Sequence, residues 1–184
     1  MFKKFLIILL VLLSIRVNAE EYNVFDMTIG FDDSWVIITR ENIKDNETLK
    51  ILGITEKEFE DYMLENDVYL SAVKLKKDNT FDDDIIICYS KMDDVKNLTN
   101  YDKKYIEGQA EIIALGIQEE GMKVIDKGAY ENELYKYIYI HYKDSGLNVY
   151  FYQTAVNGNA YLVMYSTANE MNDKTTNHKW EENN

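Results

Sequence analysis

The chain has no proline, one cysteine and two histidines among its 184 residues. A single cysteine, Cys88, excludes a disulfide within the chain. One cysteine and two histidines give poor support for a zinc site or for a catalytic nucleophile with a histidine base. G-x-S-x-G, H-E-x-x-H and paired-cysteine motifs do not occur in the sequence either. We therefore expect a protein that is not a histidine- or cysteine-dependent enzyme and that uses no cofactor.

Positive charge is also scarce. The chain carries 20 Lys and Arg against 33 Asp and Glu, a formal net charge of −13. Such a chain repels phosphate backbones and anionic membrane surfaces, so nucleic acid is not an expected partner. Nearly all of the basic residues are lysines, and this usage, together with the absence of proline, is typical of a bacterial protein from an AT-rich genome.

The first nineteen residues combine a basic start at Lys3 and Lys4 with an apolar run over residues 5–13 and small residues up to Ala19. This pattern predicts a secretory signal peptide that is cleaved before Glu20. The apolar run is shorter than the ~18 residues that a membrane span needs. We therefore expect a secreted or cell-surface bacterial protein with no membrane span in its mature form.

The length of the remaining chain predicts one α+β domain over residues 20–168, with a polar, disordered tail over residues 169–184. We expect a monomer. Alternation of apolar and polar residues predicts strands, separated by short turns and, after the second strand, by a polar segment at 40–48. The predicted strands cover residues 22–29, 35–39, 68–74, 85–89, 123–125, 133–142, 149–156 and 160–166.

Two helices interrupt the strands. Thr55-Glu56-Lys57-Glu58 is a capping box, and Ile54 and Phe59 flank it as a hydrophobic staple, which predicts a helix that ends near Glu65. A second helix is predicted over residues 101–120, where apolar residues recur every three or four positions. Asn157-Gly158 predicts a type I′ hairpin between the last two strands. Strands around two helices favour an antiparallel sheet flanked by helices.

The predicted strand at 133–142 places Tyr137, Tyr139 and His141 on one face. Tyrosine offers a rigid surface with a polar tip, which is well suited to recognising a ligand or a protein. These three residues are our candidate ligand-binding site. The alternative is that the rings cover the sheet beneath a helix, and solvent exposure distinguishes the two.

Consecutive aspartates, Asp82, Asp83 and Asp84, are our candidate metal ligands, because calcium prefers several carboxylate oxygens. The triplet lacks the spacing and the glycine of an EF-hand loop, and a solvated turn is the alternative. A hydrolase that uses two carboxylates also stays open, because it needs only two well-placed acids. A concave pocket with two close acids of raised pKa would favour that hydrolase.

The order of motifs resembles the PsbP-like group of small secreted bacterial proteins, which have the Ran-binding import factor/PsbP-like fold. The resemblance covers residues 22–168. It rests on the turn from Phe31 to Trp35, the helix start Gly53-Ile54-Thr55-Glu56-Lys57-Glu58, the segment Asn66-Asp67-Val68-Tyr69-Leu70-Ser71-Ala72, the long helix and the closing strands. It differs in two ways: family members often carry a proline just before the tryptophan, where this chain has Asp33-Ser34, and they end in an amphipathic helix.

This resemblance implies an α/β/α sandwich with an antiparallel sheet and a binding or accessory role, and it supplies no catalytic residue. Our leading hypothesis is therefore a non-enzymatic binding module that contacts a protein or small ligand outside the cytoplasm. The alternatives are a secreted carboxylate-based hydrolase and a weak cation-binding surface protein.

Overall fold

The computed structural model describes residues 20–24, 27–44, 46–78, 80–91, 96–131 and 135–169. The predicted signal peptide and the predicted tail beyond residue 169 lie outside these residues. The chain divides into two compact units, Met1–Val36 and Ile37–Asn184. None of the helices in the described part of the chain is both long enough and apolar enough to cross a membrane.

The first unit contains a two-stranded antiparallel sheet formed by β1 (Glu20–Val24) and β2 (Met27–Phe31). The prediction of a single strand over residues 22–29 is therefore wrong. Apolar and polar residues alternate through both strands, and no glycine or proline separates the two strands in the sequence. The pattern therefore does not indicate where the chain reverses its direction. The Phe31 ring packs edge-on against Tyr22 and Trp35 in the same unit.

The second unit holds most of the structure. Strand β3 (Trp35–Thr39) crosses into it, and residues 37–39 of that strand belong to it. Its helices are α1 (Glu47–Leu52), α2 (Glu56–Glu65) and α3 (Lys103–Glu119). Its further strands are β4 (Val68–Leu75), β5 (Phe81–Lys91), β6 (Lys123–Glu131), β7 (Lys136–Asp144), β8 (Leu147–Val156) and β9 (Asn159–Thr167).

These strands form one seven-stranded sheet in the order β3-β4-β5-β9-β8-β7-β6. All pairings from β4 to β6 along this order are antiparallel. Strands β6 to β9 form a meander in which each strand pairs with the next. The predicted α+β class with an antiparallel sheet is confirmed, although β6 extends well beyond the predicted residues 123–125.

Helix α2 begins as its sequence predicts. The Glu58 amide donates to the Thr55 hydroxyl over 3.2 Å, and the Thr55 amide donates to the Glu58 carboxylate over 2.9 Å. The polar segment predicted at residues 40–48 instead contains the start of α1. Asn46 caps that helix by accepting from the Thr48 amide, and Gly53 closes it with a φ of 71°. Six residues are too few to show a helical period.

Helices α2 and α3 pack on the same face of the sheet. The strand register aligns Val73, Asp84, Ser166, Val149 and Tyr142 in one row, and residues directly opposite in paired strands point to the same side. Val73 and Asp84 lie beneath α2, whereas Val149 and Tyr142 join the buried cluster beneath α3. We call this side of the sheet the helical face. A second helical layer on the other side stays a prediction.

Candidate functional site

Strand β7 separates its side chains by type. Ile138 and Ile140 are buried in the cluster beneath α3. Tyr137, Tyr139 and His141 alternate with them and therefore lie on the opposite side of the sheet. The structure thus places the three residues of the predicted site on one face, and α3 does not cover them.

Neighbouring strands extend this set of rings. The register places Tyr139 opposite Tyr152 and His141 opposite Tyr150, which in turn lies opposite Tyr165. The ring centroids of Tyr139 and Tyr152 are 5.4 Å apart, and those of His141 and Tyr150 are 4.4 Å apart. We define the aromatic face as the set of seven rings Tyr130, Tyr137, Tyr139, His141, Tyr150, Tyr152 and Tyr165. It spans four strands.

Tyr130 joins the set because Gly128 leaves room for its ring. A Cβ atom on Gly128 would lie 3.3 Å from the Tyr130 ring. The ring contacts Tyr139 edge-on at 5.5 Å and stacks on Tyr137 at 5.9 Å. An aromatic ring that covers a glycine on the neighbouring edge-strand position is a known way of stabilising a sheet edge. This glycine therefore extends the aromatic face onto β6.

Exposure varies across the aromatic face. Tyr130 is 45% exposed, whereas Tyr150 is buried between its stacked neighbours. Tyr137, Tyr139 and the remaining tyrosines of the set are half-buried. Loss of solvent raises the pKa of both Tyr139 and Tyr152, so both stay neutral at physiological pH. The face therefore presents uncharged hydroxyls and partly open ring surfaces.

His141 is held in place on this face. Its Nε2 lies 3.1 Å from the Asn148 Oδ1, and its ring stacks on Tyr150. The Asn148 amide also donates to the Asn169 carbonyl. The hydrogen bond with Asn148 and the stacked ring of Tyr150 together hold the imidazole in one orientation. Its stacked partner, Tyr150, is buried, so the two rings form one rigid platform.

The three consecutive aspartates lie within strand β5, so the alternative of a solvated turn is wrong. Strand alternation places Asp83 on the aromatic side, where the Tyr165 hydroxyl donates a hydrogen bond to its carboxylate, and places Asp84 on the helical face. Asp82 lies at a register shift between β4 and β5, and its charge acts on Tyr165. The triplet therefore cannot converge on a single ion from one side. Among the described residues, no group of three or more His, Cys, Asp or Glu side chains is arranged to hold a metal ion.

Asp84 instead lines an apolar pocket of about 410 Å³ beneath α2. Burial raises the pKa of its carboxyl to about 6, the charge of Asp83 adds to this rise, and a hydrogen bond with Ser166 opposes it. Sequence analysis did not identify this pocket. The available signal was the spacing of Asp84 two positions before Ile86, which places an acid in phase with the buried apolar side of its strand.

Glu58 is the other acid at this pocket. Its hydrogen bonds with the Thr55 hydroxyl and amide lower its pKa, so it stays ionised as part of the helix cap. The pKa of Asp84 is therefore raised, whereas the pKa of Glu58 is lowered. Glu58 is engaged in the cap of α2, so the pocket does not hold the two close acids of raised pKa that would favour a carboxylate-based hydrolase.

Comparison with known proteins gives a likeness of fold. Neither any protein-family model nor any curated protein sequence matches the chain. Fourteen chains of solved structures match it. One is cyanobacterial PsbP (CyanoP) from Synechocystis sp. PCC 6803, with a TM-score of 0.51 and 12% sequence identity over 84% of each chain. Since the helices, the antiparallel sheet and this likeness agree, the chain has a PsbP-like α+β fold.

Proposed function

We propose that the protein is a non-enzymatic binding module that acts outside the bacterial cytoplasm and contacts its ligand or partner protein through the aromatic face. One observation carries this proposal: seven rings from four strands lie in two contacting groups on the side of the sheet that α3 leaves uncovered. The predicted signal peptide supports the location, and the PsbP-like fold is compatible with an accessory role.

The chemistry of the aromatic face suits recognition. Tyrosine combines a broad apolar ring with a hydroxyl that donates and accepts hydrogen bonds, and it has few rotatable bonds to immobilise. Stacking between neighbouring rings restricts these side chains before any partner binds, so less conformational entropy is lost on contact. A few such rings can then provide most of the affinity.

The alternative of a carboxylate-based hydrolase has weaker support. It rests on the raised pKa of Asp84, but a second carboxyl that could share the reaction is committed to capping α2. The cation-binding alternative depended on Asp82, Asp83 and Asp84 acting together, and strand alternation separates them. A binding role therefore fits the arrangement of side chains best.

A capture experiment with matched tyrosine variants tests the proposal. The bait is the chain that the source bacterium exports, which should begin at Glu20, and its partners are identified by mass spectrometry. Tyr139→Ala should lose at least about tenfold in partner recovery, because it removes a central ring of the aromatic face. Tyr105→Ala makes the same change at an exposed tyrosine on α3 and should leave recovery unchanged.

Circular dichroism on both variants separates binding from folding. Equal recovery with Tyr139→Ala and the wild type, in a folded protein, would contradict a binding role for this face. Equal loss with both tyrosine variants would also contradict it, because the effect would not be specific to the aromatic face.

A further inference from the structure

The pocket beneath α2 has a composition that packing alone does not explain. Its walls come from Leu52, Ile54, Phe59, Val73, Ile86 and Leu147, all apolar. Asp84 projects among them from the middle of the sheet and forms a hydrogen bond with the Ser166 hydroxyl. A carboxylate in apolar surroundings is unfavourable because it loses hydration. An unfavourable charge inside a concave pocket is a signature of a ligand site.

We infer that this pocket binds a small amphipathic ammonium compound, with Asp84 as the counter-ion of its amine and the apolar walls around its hydrocarbon body. This site lies on the helical face, so it is independent of the aromatic face and of the function proposed there.

Charge complementarity identifies the head group of the ligand. Both acids at the pocket, Asp84 and Glu58, are potential anions, and among its described lining residues none is basic. A carboxylate or phosphate ligand would meet repulsion, whereas an ammonium group would neutralise Asp84 and regain hydrogen bonds. Tyr62 and Ser71 offer further hydroxyls beside it. The carboxylate and its neighbours therefore select a cation that also donates hydrogen bonds.

Pocket size identifies the body of the ligand. A volume of about 410 Å³ lies within the usual range of small-molecule sites, about 300–1,000 Å³. The rings of Phe59 and Tyr62, whose centroids are 5.8 Å apart, form one wall and offer π-faces to an apolar or aromatic group. An arylalkyl amine matches both the walls and the charge, and a small molecule is therefore the occupant that we propose.

Titration of Asp84 should control this binding. The groups that face it are Glu58 and Tyr62 on α2, Ser166 on β9 and Tyr142 on β7, and the charge of Asp83 acts on it from the adjacent position of its own strand. Above its pKa of about 6 the carboxyl carries the charge that an amine needs. Glu58, with its lowered pKa, stays ionised over the same range, and both tyrosines, with raised pKa values, stay neutral.

The test uses three probes with similar bodies: phenethylammonium, phenethyl alcohol and hydrocinnamate. Each is titrated into the isotope-labelled full chain, and binding is followed by chemical-shift changes in two-dimensional NMR spectra. At pH 8 we expect the amine to bind at least about tenfold more tightly than the alcohol, and the carboxylate to bind more weakly than both. Between pH 8 and pH 5 amine affinity should fall about tenfold as Asp84 becomes protonated.

Matched variants test whether Asp84 causes the preference for the amine over the alcohol. Asp84→Asn should reduce the affinity for the amine to that for the alcohol, and Asp33→Asn, the same change at an exposed turn, should leave it unchanged. The shifted resonances should belong to α2, β4 and β5. The inference is overturned if the amine and the alcohol bind equally, if the preference survives in Asp84→Asn, if shifts occur elsewhere, or if no probe binds at millimolar concentration.

Discussion

The side chains on the two sides of the central sheet are shielded from water in different ways. Beneath α3, the helical face carries compact aliphatic residues such as Ile138 and Ile140, which are 3% and 0% exposed. The aromatic face carries large rings that contact each other, and most of them are half-buried. An aliphatic side chain needs another element to exclude water, whereas a tyrosine tolerates water at its hydroxyl while its ring shields its neighbours.

This difference separates stability from recognition within one strand. Consecutive residues of β7 contribute in turn to a closed core and to a partly open surface. The helical face also contains the pocket with Asp84, where a carboxyl interrupts the apolar packing. The comparison predicts that neighbouring substitutions will have unequal effects on the free energy of unfolding.

The largest expected effect is in the closed core. Ile140→Ala should lower the free energy of unfolding by about 2–5 kcal/mol, because it leaves a cavity beneath α3 that cannot fill with water. Tyr139→Ala, one residue away, should cost less, since water can occupy the space left by a half-buried ring. Urea unfolding measures both. A loss with Tyr139→Ala equal to that with Ile140→Ala would place the aromatic face in the core.

The second-largest expected effect on the free energy of unfolding is at Asp84 on the helical face. The pKa of Asp84 is raised to about 6, so folding favours its protonated form, and its contribution to stability is greatest below pH ~4 and is lost as the pH rises through about 6. Asp84→Asn should therefore raise the free energy of unfolding at pH 8, by at most about 3 kcal/mol. Unfolding of both proteins at pH 4 and pH 8 measures this.

The gain from Asp84→Asn should disappear near pH 4, where the wild-type carboxyl is protonated. Asp33→Asn serves as the control, because it makes the same change at an exposed side chain. A variant that is less stable than the wild type at pH 8 would mean that the ionised carboxylate stabilises the fold.

The smallest effect concerns the helix that covers the pocket. Thr55→Ala removes the acceptor for the Glu58 amide and should destabilise the protein by about 0.5–2 kcal/mol in urea unfolding. Thr55→Ser keeps a hydroxyl at this position and should retain most of the stability. Equal losses in the two variants would show that the cap hydrogen bond is not responsible.

The sequence by itself determined the local elements that have local causes. The capping box at Thr55 and Glu58 predicted the start of α2 because its partners are three residues apart. The Asn157-Gly158 pair predicted the last hairpin because both residues adopt positive φ, 52° and 77°. The alternation along β7 also placed Tyr137, Tyr139 and His141 on one side. Each of these inferences needs only neighbouring residues and their backbone preferences.

Only the tertiary structure decided which surfaces these elements make. The meander of β6 to β9 aligns Tyr139 with Tyr152 and Tyr150 with Tyr165, and the packing of α3 against the other side leaves this aromatic face uncovered. The pairing of β5 with β9, which lie far apart in the sequence, brings Asp84 beneath α2 and next to Ser166, and burial there changes its pKa. The alternation of residue types along a strand indicates two different faces, but it does not predict which face a helix will cover. That choice depends on long-range packing. The run of aspartates, which was compatible with a turn, lies within a strand, where Asp84 is half-buried.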